Sequence, residues 1–443
     1  MGSERYPLRN AGIYYNLPTF DPSLAGLKAM VVGATGISGF NTMRSLLDSE
    51  TRWSTIYAVS RSPPTAAMMS LLTKQQQDRI VHVSIDLSSS SDEIADKLRR
   101  SNVRCDYIFY YGYIHPWGKS AMDPAMADEL IRTNVPAFVN FLQALPSAAI
   151  RPKRILLQTG GKHYGGHIGR ARIPFVESDP APKHLKDNFY YHQEDALLKF
   201  CEEHPETSWN VVRPFAVIGA APNAGMSAFL SYAIMAAVQA QKNEPVFFGG
   251  DIEEWQYGCS HSSARLTGYL SEWAVLEEKC QNQAFNASDG SPLTFDRLYE
   301  ELARWYNVTN GVEGPSLDDS KFKTIELAGG KDSPLGYGPP SSIRLSRPLA
   351  EWAKEKENAK VWKQIMEASS GQTVVNHFEN SKDTFIMGDF NFIRIGPMSH
   401  VKLRKFGFNG FVDSLESIFE MYQDMAVLGH LPPPAVQAAR PLI

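Results

Sequence analysis

Short apolar runs alternate with amphipathic stretches through the first half of the chain, the pattern of β-α-β units winding a parallel sheet. Strands are expected at 28–33 (KAMVVG), 55–60 (TIYAVS), 80–86 (IVHVSID), 106–111 (DYIFYY), 154–159 (RILLQT) and 209–213 (WNVVR). Most are nearly continuous apolar runs, as strands covered on both faces require. Between them, 37–48 carries Phe40, Met43 and Leu47 at helical spacing, and 126–145 and 191–204 read as longer helices. After residue 214 the alternation fades into a helix at 226–240, a strand pair near 245–258, a helix at 262–276, and then mostly helix and loop. Gly, Pro, Ser and Asp crowd 310–345, which marks a long surface excursion, and the tail PPPAVQAARPLI reads as extended. The fold class that follows is α/β: a doubly wound parallel sheet of the Rossmann type with a smaller, mostly helical C-terminal substrate domain partly interleaved.

Composition narrows the partners without changing the fold. The 443 residues are 43% hydrophobic and 21% charged with a net charge of −4, ordinary for a folded enzyme. Lys and Arg are scattered, so a small-molecule substrate is expected and neither nucleic acid nor a membrane surface is; a homodimer stays open. Cys105, Cys201, Cys259 and Cys280 lie far apart with no C-x-x-C pair, so reduced thiols and no metal site are expected. The N-terminal stretch lacks the apolar run of a signal peptide, and no segment has the roughly 18 apolar residues of a span. The expected address is cytoplasmic.

The loop after the first strand reads Gly33-Ala34-Thr35-Gly36-Ile37-Ser38-Gly39. Glycines between a strand and a helix permit a tight turn and close backbone approach, so that a pyrophosphate can sit at the helix N-terminus. Gly33, Thr35, Gly36, Ile37 and Gly39 are therefore assigned to a dinucleotide. Residues 25–220 form the binding domain, with 250–290 returning to it, and 221–249 with 291–443 form the substrate-binding region. The second strand ends in Ser60-Arg61-Ser62, where an acidic residue would accept from the ribose hydroxyls of NAD. Arg61 there, with Ser60 and Ser62, favours the 2′-phosphate of NADP(H). Asp86, followed by Leu87, could contact adenine or cap the next helix.

No tyrosine has a lysine four residues later, so the Y-x-x-x-K pair of short-chain dehydrogenases is absent. The chain carries instead Thr159-Gly160-Gly161-Lys162-His163-Tyr164 at the end of the fifth strand, and Asn188-Phe189-Tyr190-Tyr191-His192-Gln193-Glu194-Asp195 entering the next helix. T-G-x-K-H-Y followed by N-F-Y-Y-x-x-E-D resembles the progesterone 5β-reductase and iridoid synthase family of extended, atypical short-chain dehydrogenases/reductases. Val59-Ser60-Arg61, Asn134, Arg213-Pro214, Phe285 to Gly290 and Phe406-Gly407-Phe408 agree in order, so the resemblance spans roughly 28–430. It implies Lys162 and Tyr190 as the active pair, reduction of the C=C bond of an α,β-unsaturated carbonyl compound with NADPH, and Thr159, Lys162 and Tyr190 at the cofactor.

A phenol aimed at the carbonyl oxygen would stabilise the charge that gathers there, and Lys162 is expected to lower the Tyr190 pKa. Glu194 and Asp195 read as first-turn carboxylates favouring the helix dipole. Tyr113, Tyr164, Phe215 and Phe392 are expected around the substrate, with scaffold and core roles open for Tyr164 and Phe392 respectively. Departures from the family are Ser62 in place of a second arginine, Gly166-His167-Ile168 where plant members read G-P-F, and Cys259 to Ser263 without the carboxylates of the family stretch. The expected function is an NADPH-dependent enone reductase acting on an apolar secondary metabolite. A cofactor-retaining isomerase, epimerase or cyclase and a non-catalytic NADP sensor are the alternatives.

Overall fold

The computed structural model describes residues 7–115, 126–223, 226–380, 382–394 and 396–443. Seven strands form one sheet: β1 (Leu27–Val32), β2 (Trp53–Ser60), β3 (Ile80–Ser84), β4 (Tyr107–Tyr110), β5 (Arg154–Gln158), β6 (Ser208–Pro214) and β7 (Gln283–Ala287). Their order is β7-β6-β5-β4-β1-β2-β3, every neighbour parallel. The reversal between β1 and β4 is the switch point at which doubly wound sheets open a crevice beyond the strand C-termini.

Continuous apolar strands become two cores because successive side chains take opposite faces. Ala29, Val31, Ile56, Ala58, Phe109, Leu156 and Phe285 face α1 (Ile37–Leu47) and a helix at Ala264–Leu276. Met30, Val32, Val59, Ile108, Ile155 and Leu157 face α2 (Ser91–Arg100), α3 (Met126–Ser147) and α4 (Phe189–Glu203). A third core joins the helices Leu230–Lys242, Phe295–Trp305 and Ser414–Val427 in a mostly helical C-terminal region.

The structure departs from the expected elements in three places. The strand pair near 245–258 is absent: Val246–Phe247 pairs with Val312–Glu313, and Ile252–Trp255 is a helical turn. Asp251 starts that turn by accepting from the backbone N–H of Glu253 and Glu254, while the Glu254 side chain returns to the Asp251 N–H. The 310–345 excursion contains a hairpin, Lys323–Glu326 with Ser342–Leu345, and docks on the 165–170 turn through Ala328 N to Ile168 O (2.8 Å) and Leu335 N to Arg170 O (2.8 Å). The seventh strand, not expected as such, comes from Gln283–Ala287.

No helix among the described residues is long and apolar enough to cross a membrane. The residues before β1 form a small hairpin, Arg9–Ala11 with Tyr14–Leu17, that ties the two regions together. The buried Tyr14 hydroxyl donates to Glu420 (2.5 Å) and lies 3.3 Å from Ser263 Oγ. Replacing Tyr14 by Phe removes the short bond to Glu420 and leaves that carboxylate only Arg265 at 3.3 Å, and should lower unfolding free energy by about 1 kcal/mol. The denaturant midpoint measures it; an unchanged midpoint would show that the hairpin is not a strut.

Candidate active site

The glycine loop has the geometry its sequence implies, because each glycine is forced by a neighbour. Gly33 adopts φ +82° and a Cβ there would meet the Tyr111 carbonyl oxygen at 2.8 Å. A Cβ on Gly39 would lie 2.2 Å from the Gly33 oxygen. Gly36 starts α1 with no side chain capping the first turn, so its leading N–H groups remain available to an anion. Thr35 and Ile37 lie on this loop, and the chain leaving β6 packs on Ile37 so closely that a Cβ on Gly219 would touch it at 2.8 Å. These features fit a dinucleotide pyrophosphate.

At the end of β2 the chain turns through Ser60 Oγ to the Ser62 carbonyl (2.8 Å), and Ser84 Oγ holds the Arg61 carbonyl (2.9 Å). The Arg61 side chain is exposed and makes no hydrogen bond or ion pair among the described residues. Asp86 does not cap the helix that follows, because Ser90 does so in a capping box with Glu93. Its carboxylate accepts from the Ser88 N–H and hydroxyl, which hold it below the usual carboxylate range. Leu87 packs against Gly112, where a Cβ would meet it at 2.6 Å, so the chain leaving β3 meets the chain leaving β4.

Beside this crevice lies the second cluster. Gln158 Nε2 donates to Ser38 Oγ (2.8 Å), joining the end of β5 to the first turn of α1. The next residues, Thr159 and Gly160, meet α4: a Cβ on Gly160 would lie 3.2 Å from the Tyr190 hydroxyl. Lys162 sits in a 3-10 turn, Gly161–Tyr164, with its ammonium 5.5 Å from the centre of the Phe390 ring. Tyr113 is 42% exposed, with its ring 6.1 Å from Phe189. Its loop is fixed by Asn134, which accepts from Ile114 N (2.8 Å) and donates to Ile114 O (3.0 Å). Phe215, held by Ser262 Oγ on its N–H (2.8 Å), covers Gly161 together with Met398.

Two of the residues expected at the pocket are buried. Tyr164 is 4% exposed, stacks on Phe175 at 4.7 Å and gives its hydroxyl to Asn286 (2.5 Å). Phe392 is 2% exposed inside a cluster with Phe248, Phe295 and Tyr232. Both rings pack mainly on neighbours of the fold.

The residue that sequence reasoning undervalued is Glu194. It is no dipole-complementing surface carboxylate, its side chain being 16% exposed, and it sits one turn beyond Tyr190 on α4. It accepts from Arg213 (2.9 Å) and the Thr159 hydroxyl (3.1 Å), and lies 3.2 Å from His163 Nδ1. Burial acts to raise this carboxyl, but His163 and the Arg213 charge outweigh it and hold it down at about 2. Its signal in the sequence was the i,i+4 spacing from Tyr190, together with an arginine at the end of a buried strand, which demands a counter-charge.

Tyr190 corrects a further expectation. Burial, then the Glu194 carboxylate, push its phenol up to about 12, the opposite of the lowering expected from Lys162. The phenol is therefore held protonated near neutral pH. Lys162 is itself lowered, first by burial and then by Lys186.

Residues 29–326 match the family model described as a PRISE-like Rossmann-fold domain. The short chain dehydrogenase gsfE of Penicillium aethiopicum is 26% identical, over 91% of this chain and 99% of that protein. The 3-oxo-Delta(4,5)-steroid 5-beta-reductase of Arabidopsis thaliana is 26% identical, over 69% of this chain and 74% of its own length. Among solved structures, the UDP-Glc/GlcNAc 4-epimerase of Campylobacter jejuni superposes with a TM-score of 0.51 at 17% identity, covering 66% of this chain and 88% of that one, and shares the fold.

The Glu194 network yields a pH-dependent expectation. A carboxyl depressed to about 2 from its usual 4.5 contributes stability that is complete above 4.5 and is lost as pH falls toward 2. Glu194→Gln leaves Arg213 without a counter-charge and should cost about 3 kcal/mol at neutral pH. The difference from the parent should shrink steadily in acid. Urea unfolding across that range tests both parts, and a pH-independent difference would reject the electrostatic origin.

Proposed function

Because the chain belongs to the PRISE-like Rossmann-fold family, we propose that it is an NADPH-dependent reductase of α,β-unsaturated carbonyl compounds, with Tyr190 and Lys162 as its active pair. The observation that carries this reading is a phenol kept protonated against Gly160, on the sheet edge that also carries the glycine loop. The similarity to the 3-oxo-Delta(4,5)-steroid 5-beta-reductase of Arabidopsis supports the reaction class.

The glycine loop and the open first turn of α1 would hold the pyrophosphate, and Arg61, with Ser60 and Ser62, the 2′-phosphate. NADPH, when bound there, would supply the hydride for reduction at the β-carbon. The residues of the chain then handle charge and shape. Tyr190 donates a hydrogen bond to the carbonyl oxygen, where negative charge develops as the C=C bond is reduced. Lys162 adds positive potential near that oxygen, strengthened by burial. Phe215, Met398 and Phe390 give an apolar wall that excludes water from the reacting carbons. Tyr113, on the exposed side, serves as a rim against which an apolar substrate can rest.

Tyr190→Phe removes the donor and leaves the shape, so turnover should fall by at least about tenfold while NADPH binding stays as in the parent. A panel of enones, enals and ketones, followed by nicotinamide absorbance, gives the rate, and unchanged turnover rejects the assignment. Arg61→Ala should weaken NADPH by about tenfold or more and leave NADH affinity where it was. Fluorescence titration with the two cofactors separates the outcomes; equal losses for both would mean that Arg61 does not read the 2′-phosphate.

A further inference from the structure

The chain leaving β7 carries a serine, paired with a histidine, that the proposed reduction does not use. Ser288 follows Ala287, the last residue of that strand, and its backbone is held on both sides. Before it, the Ala287 carbonyl accepts from Ser262 Oγ (2.7 Å); after it, Asp289 N donates to the His261 carbonyl (2.8 Å) and the Asp289 carbonyl accepts from Val412 N (3.0 Å). The buried Asp289 carboxylate is taken up by Ser263 N (2.5 Å) and Ser414 Oγ (2.8 Å). His400 arrives from the C-terminal region and is fixed as closely. Ser399 N donates to the Phe175 carbonyl (2.9 Å), and the His400 carbonyl accepts from Arg404 N (3.1 Å) where the helix Val401–Phe406 begins. Between these supports Ser288 Oγ and His400 Nε2 stand 2.6 Å apart.

The pair opens on a cavity of about 570 Å³, a size that takes a small organic ligand (roughly 300–1,000 Å³). Its walls are largely apolar, with Leu403, Phe408, Phe411, Val412 and Leu442 among them. His400 Nε2 meets Ser288, while its Nδ1 is neither sealed nor bonded among the described residues. Burial, then Arg404, hold this imidazole below its usual range, which keeps it neutral near pH 7. A single ring proton on Nδ1 leaves Nε2 as the acceptor for the serine hydroxyl. Gly290 and Ser291 line the same cavity, and neither of their N–H groups has an acceptor among the described residues. Such free donors, close in the chain to a serine, are what a developing oxyanion requires.

We propose that Ser288 is a nucleophile, activated by His400, that takes the acyl group of an apolar ester bound in this cavity and passes it to water. Ser288 Oγ bonds to the ester carbonyl carbon as its proton moves to His400 Nε2; the bond to the alkoxy oxygen breaks, and that group leaves with the proton. Water repeats the exchange on the acyl-serine, releasing the carboxylic acid and restoring the hydroxyl, with nothing oxidised or reduced. No carboxylate among the described residues bonds His400 Nδ1, so hydrolysis is slow beside that of a complete triad.

An alkyl fluorophosphonate, which loses fluoride to an activated serine, tests the nucleophile when the full chain is mapped by mass spectrometry. Ser288 should carry the label, Ser288→Ala should carry none there, and His400→Gln should react at least about 100-fold more slowly with an unchanged melting temperature. With p-nitrophenyl hexanoate the parent should release more than one equivalent of p-nitrophenolate per chain above the Ser288→Ala blank. If His400→Gln does not fold, Ser288→Cys keeps the histidine in place, and its thiol should be alkylated by iodoacetamide at least about tenfold faster than free cysteine at pH 7. An unlabelled Ser288, release that stops at one equivalent, a folded His400→Gln as reactive as the parent, or a Ser288→Cys thiol no faster than free cysteine overturns the proposal. A Ser288–His400 bond that only fastens the two segments together gives those results.

Discussion

One buried carboxylate organises the strand ends that carry the candidate site. Glu194 reaches from α4 to the end of β5 through Thr159, to the end of β6 through Arg213, and to the Lys162 turn through the neighbouring His163. Those segments carry Lys162, Phe215 and the floor beneath Tyr190, so their mutual positions depend on a single anion. Burying a lone arginine or glutamate would be strongly unfavourable, and each is tolerable here only because the other is present. The resulting network resists small displacements, since moving any one member leaves a charge or a hydroxyl unpaired inside the protein. That stiffness suits a site in which a hydrogen-bond donor has to be in place before charge appears.

The second constraint is steric and lies at the glycine loop. Gly33 faces the carbonyl of Tyr111 at the end of β4, while Gly39 faces the carbonyl of Gly33, so α1 sits as near to β1 as backbone permits. The approach brings Ser38 within reach of Gln158 at the end of β5. Dinucleotide loop and phenol are thereby referred to the same strand ends, without any long connecting element. The N-terminal hairpin and the helix Ser414–Val427 then brace the opposite side through Tyr14, Glu420 and the Arg44–Asp424 pair.

Most of this architecture could be read from the chain because its signals are local. Six of seven strands are dense apolar runs, and the glycine spacing identifies the turn after the first. What sequence obscured is what depends on distant partners. The seventh strand, QAFNA, is short and mixed, and it becomes a strand only by pairing with β6. Glu194 looked like a surface carboxylate because its partners lie at 159, 163 and 213. Tyr164 and Phe392 have the composition of pocket residues, and only packing against Phe175 and Phe248 reveals them as interior. Ile252–Trp255 turned out helical because an aspartate cap outweighed the apolar alternation around it. Residue type was informative at each of these positions, but burial decided its use.

The placement of charge around Tyr190 bears on which reaction the site favours. Where a lysine stands one turn after the tyrosine, the phenol is drawn toward phenolate and can accept a proton from an alcohol as readily as it donates one. This chain puts a carboxylate at that position and takes its lysine from the strand-end turn, and burial first, then that carboxylate, push the phenol up to about 12. A phenol so disposed is a poor base near neutral pH and a sound hydrogen-bond donor. Alcohol oxidation needs the base, whereas conjugate reduction needs only a donor toward an oxygen whose charge is spread over an enolate. The exchange of lysine for glutamate on α4 thus gives this phenol the character of a hydrogen-bond donor rather than of a base.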